Sequence, residues 1–594
     1  MKRAKSVLGI TASLALSLFC ACAIGLFRPE TVAAQSSDDH VIYLNQGWSH
    51  SDRELYYQLS QGSSIASYDI FLNLEVAGSQ ELFRSDANSA RFGLIPQPAN
   101  PRTNPDALPV GLAKNVVTEG RWKGESVGPN CAACHTGQLT YKGKQIRIDG
   151  GHTSLDFQGY VQALDDAFQA TLSDTAKFDR MAARIGATGA DAKSELHKRF
   201  AGEAERMHYY RTYAAPSPFP WGPGRADCVT LIANRLMSIE PNIPQNMSVA
   251  SAPTKIPFVW NSPQGSWTQW GAVIQDPLPR NYDETLGVYM PMDLQSKTPE
   301  EGLFDSAASI PNLGKLEDTI WWLAPPKWPE EILGRIDREK AAKGKVLFAA
   351  NCASCHNSYP YTWTAPNKYG KRFIEVGLVP RTYVGTDIQQ TKSVSEFMYA
   401  GHLSPYLAPA DKGKEVVTMG SLRGFLTRQL LAKAVENLKL TEEQAADLHG
   451  FRELPSPPPP MGVWKAAPRD GVWATPPFLH NGSVPNLYEM LIPAKERTKK
   501  FYVGSEFDPV KVGVDTSGKS GTYLLDTSLV GNSNAGHSFE DGPRGNGIIG
   551  PLLTEEQRWA LVEYLKSIPE KESQVTPFGG PPDAKTGHGD WGKP

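Results

Sequence analysis

Apolar positions along this chain gather into a few helical faces, and glycine and proline break up the rest. Between residues 338 and 350, Ala341, Val346, Leu347 and Phe348 offer one face within a stretch rich in Lys, Arg and Ala, which predicts an amphipathic helix. Near the other end, Thr554 stands where an N-cap belongs, and Trp559, Leu561, Val562, Tyr564 and Leu565 follow at helical spacing over 554–566. Helices are also expected within 155–172 and 191–208, whereas regular strand alternation is scarce. Residues 322–329, Trp-Leu-Ala-Pro-Pro-Lys-Trp-Pro, read as an interdomain linker, and 455–460 as a short Pro-rich loop.

The N-terminus carries a different pattern. Lys2, Arg3 and Lys5 precede an uncharged run over 7–27, and Val32-Ala33-Ala34 offers small residues for a signal peptidase. The expectation is export with cleavage after Ala34, to the periplasm or beyond. The length of the run leaves an uncleaved anchor as the competing reading. Phe19 is too large for the position before a lipoprotein cysteine at Cys20. No later stretch is long and apolar enough to span a membrane.

Composition narrows the class. With 594 residues the chain is long enough for more than one domain. Hydrophobic residues at 40% and charged residues at 21% exclude wholesale disorder and a multi-span membrane protein. With 53 Gly and 47 Pro it is loop-rich. A net charge of -3 gives no basic excess, so nucleic acid is set aside as a partner.

Cysteine placement supplies the chemistry. Cys20 and Cys22 fall in the apolar N-terminal run, and Cys228 stands alone. The other four form two copies of one spacing, Cys131-Ala-Ala-Cys134-His135 and Cys352-Ala-Ser-Cys355-His356. Cys-x-x-Cys-His is the attachment signature of c-type haem. Each sulfur adds to a porphyrin vinyl group, and the adjacent imidazole then lies beneath the ring as an axial ligand. A zinc site or a redox dithiol is the alternative, and a histidine directly abutting the second Cys in both copies argues against each. The expected cofactors are two covalently bound c-type haems. The expected fold is mainly α: two class I cytochrome c-like domains with long loop-rich insertions. The expected organisation is a signal peptide (1–34), a first haem domain with large extensions (35–322), a linker (323–337), a second haem domain (338–568) and a tail (569–594).

The segment Trp473-Ala-Thr-Pro-Pro-Phe-Leu-His-Asn-Gly-Ser-Val-Pro-Asn-Leu487 resembles part of the bacterial dihaem cytochrome c peroxidase superfamily. Three further segments, Phe507-Asp-Pro-Val-Lys-Val-Gly513, Gly531-Asn-Ser-Asn-Ala-Gly-His537 and Pro109-Val-Gly111, make it similar to the branch that includes the dihaem rubber oxygenases. The resemblance implies proximal ligation by His135 and His356. It also implies a second haem with two His ligands, the other being His537, with His480 as rival. A peroxidase-type Met ligand has no counterpart at its spacing, where Ala494 stands; Met490 is nearby but offset. His152 stands where the peroxidases carry a distal His, and its plain alternative is a loop histidine beside two glycines. Arg280-Asn281 resembles a family pair, and Arg280 can then hold a haem propionate. A tryptophan between the haems is a further family feature, with Trp260, Trp267, Trp270, Trp321, Trp322 and Trp328 as candidates.

Three functions follow from the resemblance. The first is an oxygenase using dioxygen at the first haem on an apolar organic substrate, with the second haem as electron reservoir. The others are a hydrogen-peroxide-reducing enzyme with a movable His152, and a plain electron carrier. A small electron-donor protein is a candidate partner for any of them.

Overall fold

A computed structural model describes residues 41–391, 396–436, 438–517, 521 and 523–569. The expected signal segment with Cys20 and Cys22, and the tail beyond 569, lie outside the described residues. The structure corrects the expected mainly α class: it is 38% helical and 15% strand, with many small sheets. Two regular class I cytochrome c-like domains are not what the chain builds. Its strands are too short to show an alternation, and their partners come from distant segments. Val41–Tyr43 pairs in parallel with Lys144–Asp149, Gly377–Pro380 with Val463–Ala466, and Lys500–Val503 with Tyr523–Asp526. Each pairing is set by tertiary packing, a signal no local window contains.

The longer helices form where their local signals lie. Phe157–Ser173 starts at Asp156, whose carboxylate accepts from the Gly159 amide, and Ala190–Tyr213 packs against it through Phe168 stacked on Phe200 at 5.1 Å. Arg338–Asn351 begins at an Asp337 N-cap, and Glu555–Ser567 at a capping box between Thr554 and Gln557. These two helices cross with their backbones in contact. A Cβ on Gly344 would overlap the Ala560 carbonyl oxygen, so only glycine fits. The buried face of the first helix is therefore Ala341, Gly344 and Phe348, and Val346 is left 70% exposed. Phe348 closes the crossing against Tyr564 at 5.3 Å.

Residues 322–329 run through the interior. Leu323 is fully buried, and Trp328 stands edge-on to Trp473 at 5.3 Å, whose indole N–H donates to the Pro326 carbonyl. One apolar cluster joins Tyr56, Ala132 and Ile146 to Leu323, Phe348, Trp473 and Leu561, and so touches both Cys-x-x-Cys-His segments. In another, Leu422, Phe425 and Leu430 of the helix Met419–Glu436 pack on Leu236, Met237, Tyr282 and Leu286. No helix among the described residues is long and apolar enough to cross a membrane.

Candidate functional site

The two Cys-x-x-Cys-His segments share one local geometry. In each, the histidine amide donates to the carbonyl of the first cysteine at 2.9 Å, closing a single helical turn. The first turn, Cys131–Cys134, is capped by Asn130. Its side-chain oxygen accepts from Ala132, and its amide donates to the carbonyls of Tyr56 and Leu59. Gly111, at φ +84°, lies so close to this turn that a Cβ would overlap the Ala133 amide, which accounts for glycine in the Pro109-Val-Gly111 segment. The second turn leaves the C-terminus of the helix Arg338–Asn351, with the Cys352 amide donating to Phe348 at 2.8 Å.

Both motif histidines are oriented the same way. Nδ1 of His135 lies 2.8 Å from the Pro257 carbonyl and Nδ1 of His356 lies 3.0 Å from the Ala467 carbonyl. A carbonyl only accepts, so each Nδ1 carries the proton and each Nε2 keeps a lone pair for a metal. Burial drives the His135 pKa down to about 4 and that of His356 well below its ordinary value, so both rings are neutral as ligation requires. The cysteines form no disulfide among the described residues. Burial raises the Cys131 thiol and lifts those of Cys134 and Cys352 to about 12. Among the described residues no group of three His, Cys, Asp or Glu is placed to share a metal ion, so zinc has no donor set.

The second motif opens onto a cleft holding about 1520 Å³ of atom-free space, lined by Cys352, Cys355, His356, His480 and His537 among others. The rings of His356 and His537 face each other across it, centroids 6.2 Å apart and planes at 49°. His537 is delivered by a tight loop in which Gly536 has φ +73° and His537 itself φ +45°. A Cβ on Gly536 would overlap the backbone of Gly385. Arg497 clamps this loop: its guanidinium donates to the carbonyls of Asn534, Gly536 and His537 at 2.7, 2.8 and 2.7 Å, and to Glu489 at 3.1 Å. His480 lies in the same wall, stacked on Trp464 at 4.4 Å with Trp270 at its edge. Met490 also reaches this wall. Among the described residues four basic side chains line the cleft, Lys255, Lys465, Arg469 and Arg544, and no carboxylate does. Burial lowers Lys465 to about 8 and Arg469 to about 10. A porphyrin brings two propionates, which would answer these charges; the donors and the shape both fit a haem.

At the first motif the surroundings are mixed in charge. Arg280 pairs with Glu317, and its charge reaches both His135 and the Cys131 thiol. Glu284, one turn along the same helix, is the strongest charged neighbour of both Cys131 and Cys134, and its own carboxyl is raised by burial. His152 is buried, with Nδ1 2.9 Å from the Ile256 carbonyl, and burial takes it down to about 3. Its Cε1–Nε2 edge lies against Gly224, where a Cβ would overlap it.

The structure thus gathers Cys352, Cys355, His356, His480 and His537 at one cleft. It places Cys131, Cys134, His135, His152, Arg280 and Glu284 around the other motif. Lys255, Lys465, Arg469, Arg497 and Glu284 escaped the sequence reading, because a charged residue in one sequence reads as solvated surface. Only their nearness to the Trp473–Leu487 segment could have marked Lys465, Arg469 and Arg497.

A family model described as "RoxA-like, cytochrome c-like" matches residues 462–502, the stretch that carries Trp464, Lys465, Arg469, His480 and Arg497. With the two attachment turns and the cleft beside the second, this match supports a RoxA-like c-type cytochrome, an oxidoreductase with covalently bound haem. The chain is 33% identical over 578 residues to "Uncharacterized protein y4iJ" of Sinorhizobium fredii (strain NBRC 101917 / NGR234), covering 89% of this chain and 94% of the relative. It belongs to that protein's family. A second protein of that strain, "Uncharacterized protein y4iM", is 25% identical over 295 residues, covering 50% of this chain and 54% of its own length.

Proposed function

We propose that this protein is an exported dihaem oxidoreductase of the rubber-oxygenase-like branch of the dihaem cytochrome c peroxidase superfamily, acting with dioxygen on an apolar organic substrate. The observation that carries this reading is the pair His356 and His537. Two imidazoles on opposite sides of one metal, with metal–nitrogen bonds of about 2.0 Å and centroids about 1.2 Å further out, stand about 6.4 Å apart. These rings stand at 6.2 Å. An iron held by both His356 and His537 would have no place for substrate, so the second site suits electron storage and substrate chemistry falls to the first.

When bound, the haems supply one-electron storage and an iron site for dioxygen. The residues do the rest. Cys131, Cys134, Cys352 and Cys355 would tether the rings, and His135 and His356, each held in one tautomer by a carbonyl, would offer Nε2 to the iron. Lys465 and Arg469 take up the propionate charge of the second group. Arg280, already paired with Glu317, is placed to do so at the first. The packing of His152 on Gly224 and Ile256 supports a wall residue beside His135 more than an iron ligand. One observation favours a second reading, peroxide reduction: Glu284 places a carboxyl with a raised pKa beside Cys131 and Cys134, as a proton donor requires.

The test is spin resonance on two variants. His537→Ala should turn one low-spin ferric signal high-spin, and His480→Ala should not. The reverse result moves the axial role to His480. Carbon monoxide or cyanide should perturb only the first haem of the unaltered protein, and binding at the second alone would reverse the assignment. Mass spectrometry of denatured protein should show two haems per chain.

A further inference from the structure

We propose that the extended segment Lys255–Ile256–Pro257–Phe258 is the electron conduit between the two haem sites, with the Phe258 ring as its terminus at the second. The proposal rests on the dihaem reading above. Four consecutive residues meet both sites. On one side, the Pro257 carbonyl accepts from Nδ1 of His135 at 2.8 Å, and the Ile256 carbonyl lies 2.9 Å from Nδ1 of His152. On the other, the side chains of Lys255 and Phe258 form part of the wall of the second cleft. From the His135 imidazole, one hydrogen bond and a few main-chain bonds lead to an aromatic ring bordering that cleft, without a jump through space.

The segment is held rigidly. Lys255 pairs in a short antiparallel ladder with Arg225, and its amide donates to the His480 carbonyl at 2.9 Å. The Ile256 amide donates to Gly224 at 3.0 Å and the Val259 amide to Gly150 at 2.9 Å. Proline at 257 fixes its own φ. Phe258 stacks flat on Trp260, centroids 4.5 Å apart and planes at 14°, and the Trp260 indole N–H is bonded to the Asp470 carbonyl. Tryptophan offers the rival route. Trp270 lines the second cleft, but its indole N–H reaches the Lys255 carbonyl, two residues short of the one that holds His135. A path through Trp270 must therefore travel along the same segment and adds a hydrogen bond.

The step is a single electron transfer: the second iron passes from ferrous to ferric, the first from ferric to ferrous, and no bond or proton moves. Pulse radiolysis of the holoprotein adds one electron per molecule, and absorbance follows its redistribution between the irons. Phe258→Leu should slow that redistribution by an order of magnitude, with both reduction potentials unchanged. Phe258→Tyr, which restores the ring, should bring the rate back, and Trp270→Phe should leave it within about twofold, a difference small against the spread of rates between variants. An unchanged rate in Phe258→Leu, a larger loss in Trp270→Phe, or slowing accounted for by shifted potentials overturns the proposal. A holoprotein with a single haem overturns the dihaem reading and the conduit together, whereas two haems with an indifferent Phe258 overturn the conduit alone.

Discussion

Replacing Arg497 with methionine keeps the length of the side chain and removes all four of its bonds to main-chain carbonyls. Each bond from a charged donor contributes about 1.5–3 kcal/mol, so the gross loss is roughly 6–12 kcal/mol. Against this stands the desolvation of the guanidinium, which burial has pulled down to about 10. Loop relaxation and water entry recover more, leaving a net cost of about 3–5 kcal/mol, as for other buried charges that lose their partners. The loss is not spread evenly. Three of the four carbonyls belong to residues 534–537, where two successive residues sit at positive φ, a conformation that costs a non-glycine residue about 1 kcal/mol or more. Freed of the clamp, His537 should swing from its place opposite His356. Arg497→Met should therefore show a lower urea midpoint and, in folded protein, the loss of one low-spin ferric signal. A variant that stays within about 1 kcal/mol of the parent and keeps the low-spin signal would refute the clamp. A destabilised variant with an intact low-spin signal would show that His537 is held by something else.

At the helix crossing, Gly344→Ala should cost about 1–3 kcal/mol, because the methyl group must push the helix Glu555–Ser567 off its seat; thermal unfolding reads this directly. Glu75 is buried against Arg180, Arg184 and Lys177, and its hydrogen bond from Arg180 above all holds its carboxyl at about 2, below the ordinary 4.5. Its contribution is complete above pH 4.5 and disappears as the pH falls toward 2. Glu75→Gln should thus cost about 2–3 kcal/mol at neutral pH, allowing for the partial exposure of both arginines, and almost nothing near pH 2; a gap independent of pH would contradict the ion pair. His152→Ala should leave the spin state of the first haem unchanged, and a new high-spin fraction would make His152 an iron ligand after all.

What could be read from the chain in advance was what a dozen neighbouring residues decide. The attachment turns are set by five residues each, and the cap at Thr554 by its own first turn. The role of Gly344 was not legible, because its reason is the Ala560 carbonyl far along the chain; the apolar face was assigned to Val346 instead. Residues 322–329 look like a linker by composition, yet Leu323 and Trp328 find their partners among residues from Gln46 to Phe507. The short strands escaped for the same reason. At the site, His537 was visible through its Gly-His motif and its resemblance. The cations around the second cleft were not, since nothing near Lys255 or Lys465 in sequence signals that each lines a cleft. Which histidines meet across a cleft is a question of distance, and spacing alone left both His480 and His537 open.

Synthesis runs from the N-terminus, and the clasp between Arg338–Asn351 and Glu555–Ser567 is closed by the last helix of the described chain. Cys352 and Cys355 therefore emerge well before the helix that covers Phe348 and before the loop that brings His537. In that interval the second cleft lacks one wall and one of its two facing histidines, and the sulfurs stand open to an incoming porphyrin. A tether made then would stay with the chain while the remaining residues close around it, and the cofactor would serve as a nucleus for folding as well as a passenger. The long stretch between motif and clasp would set the length of that interval.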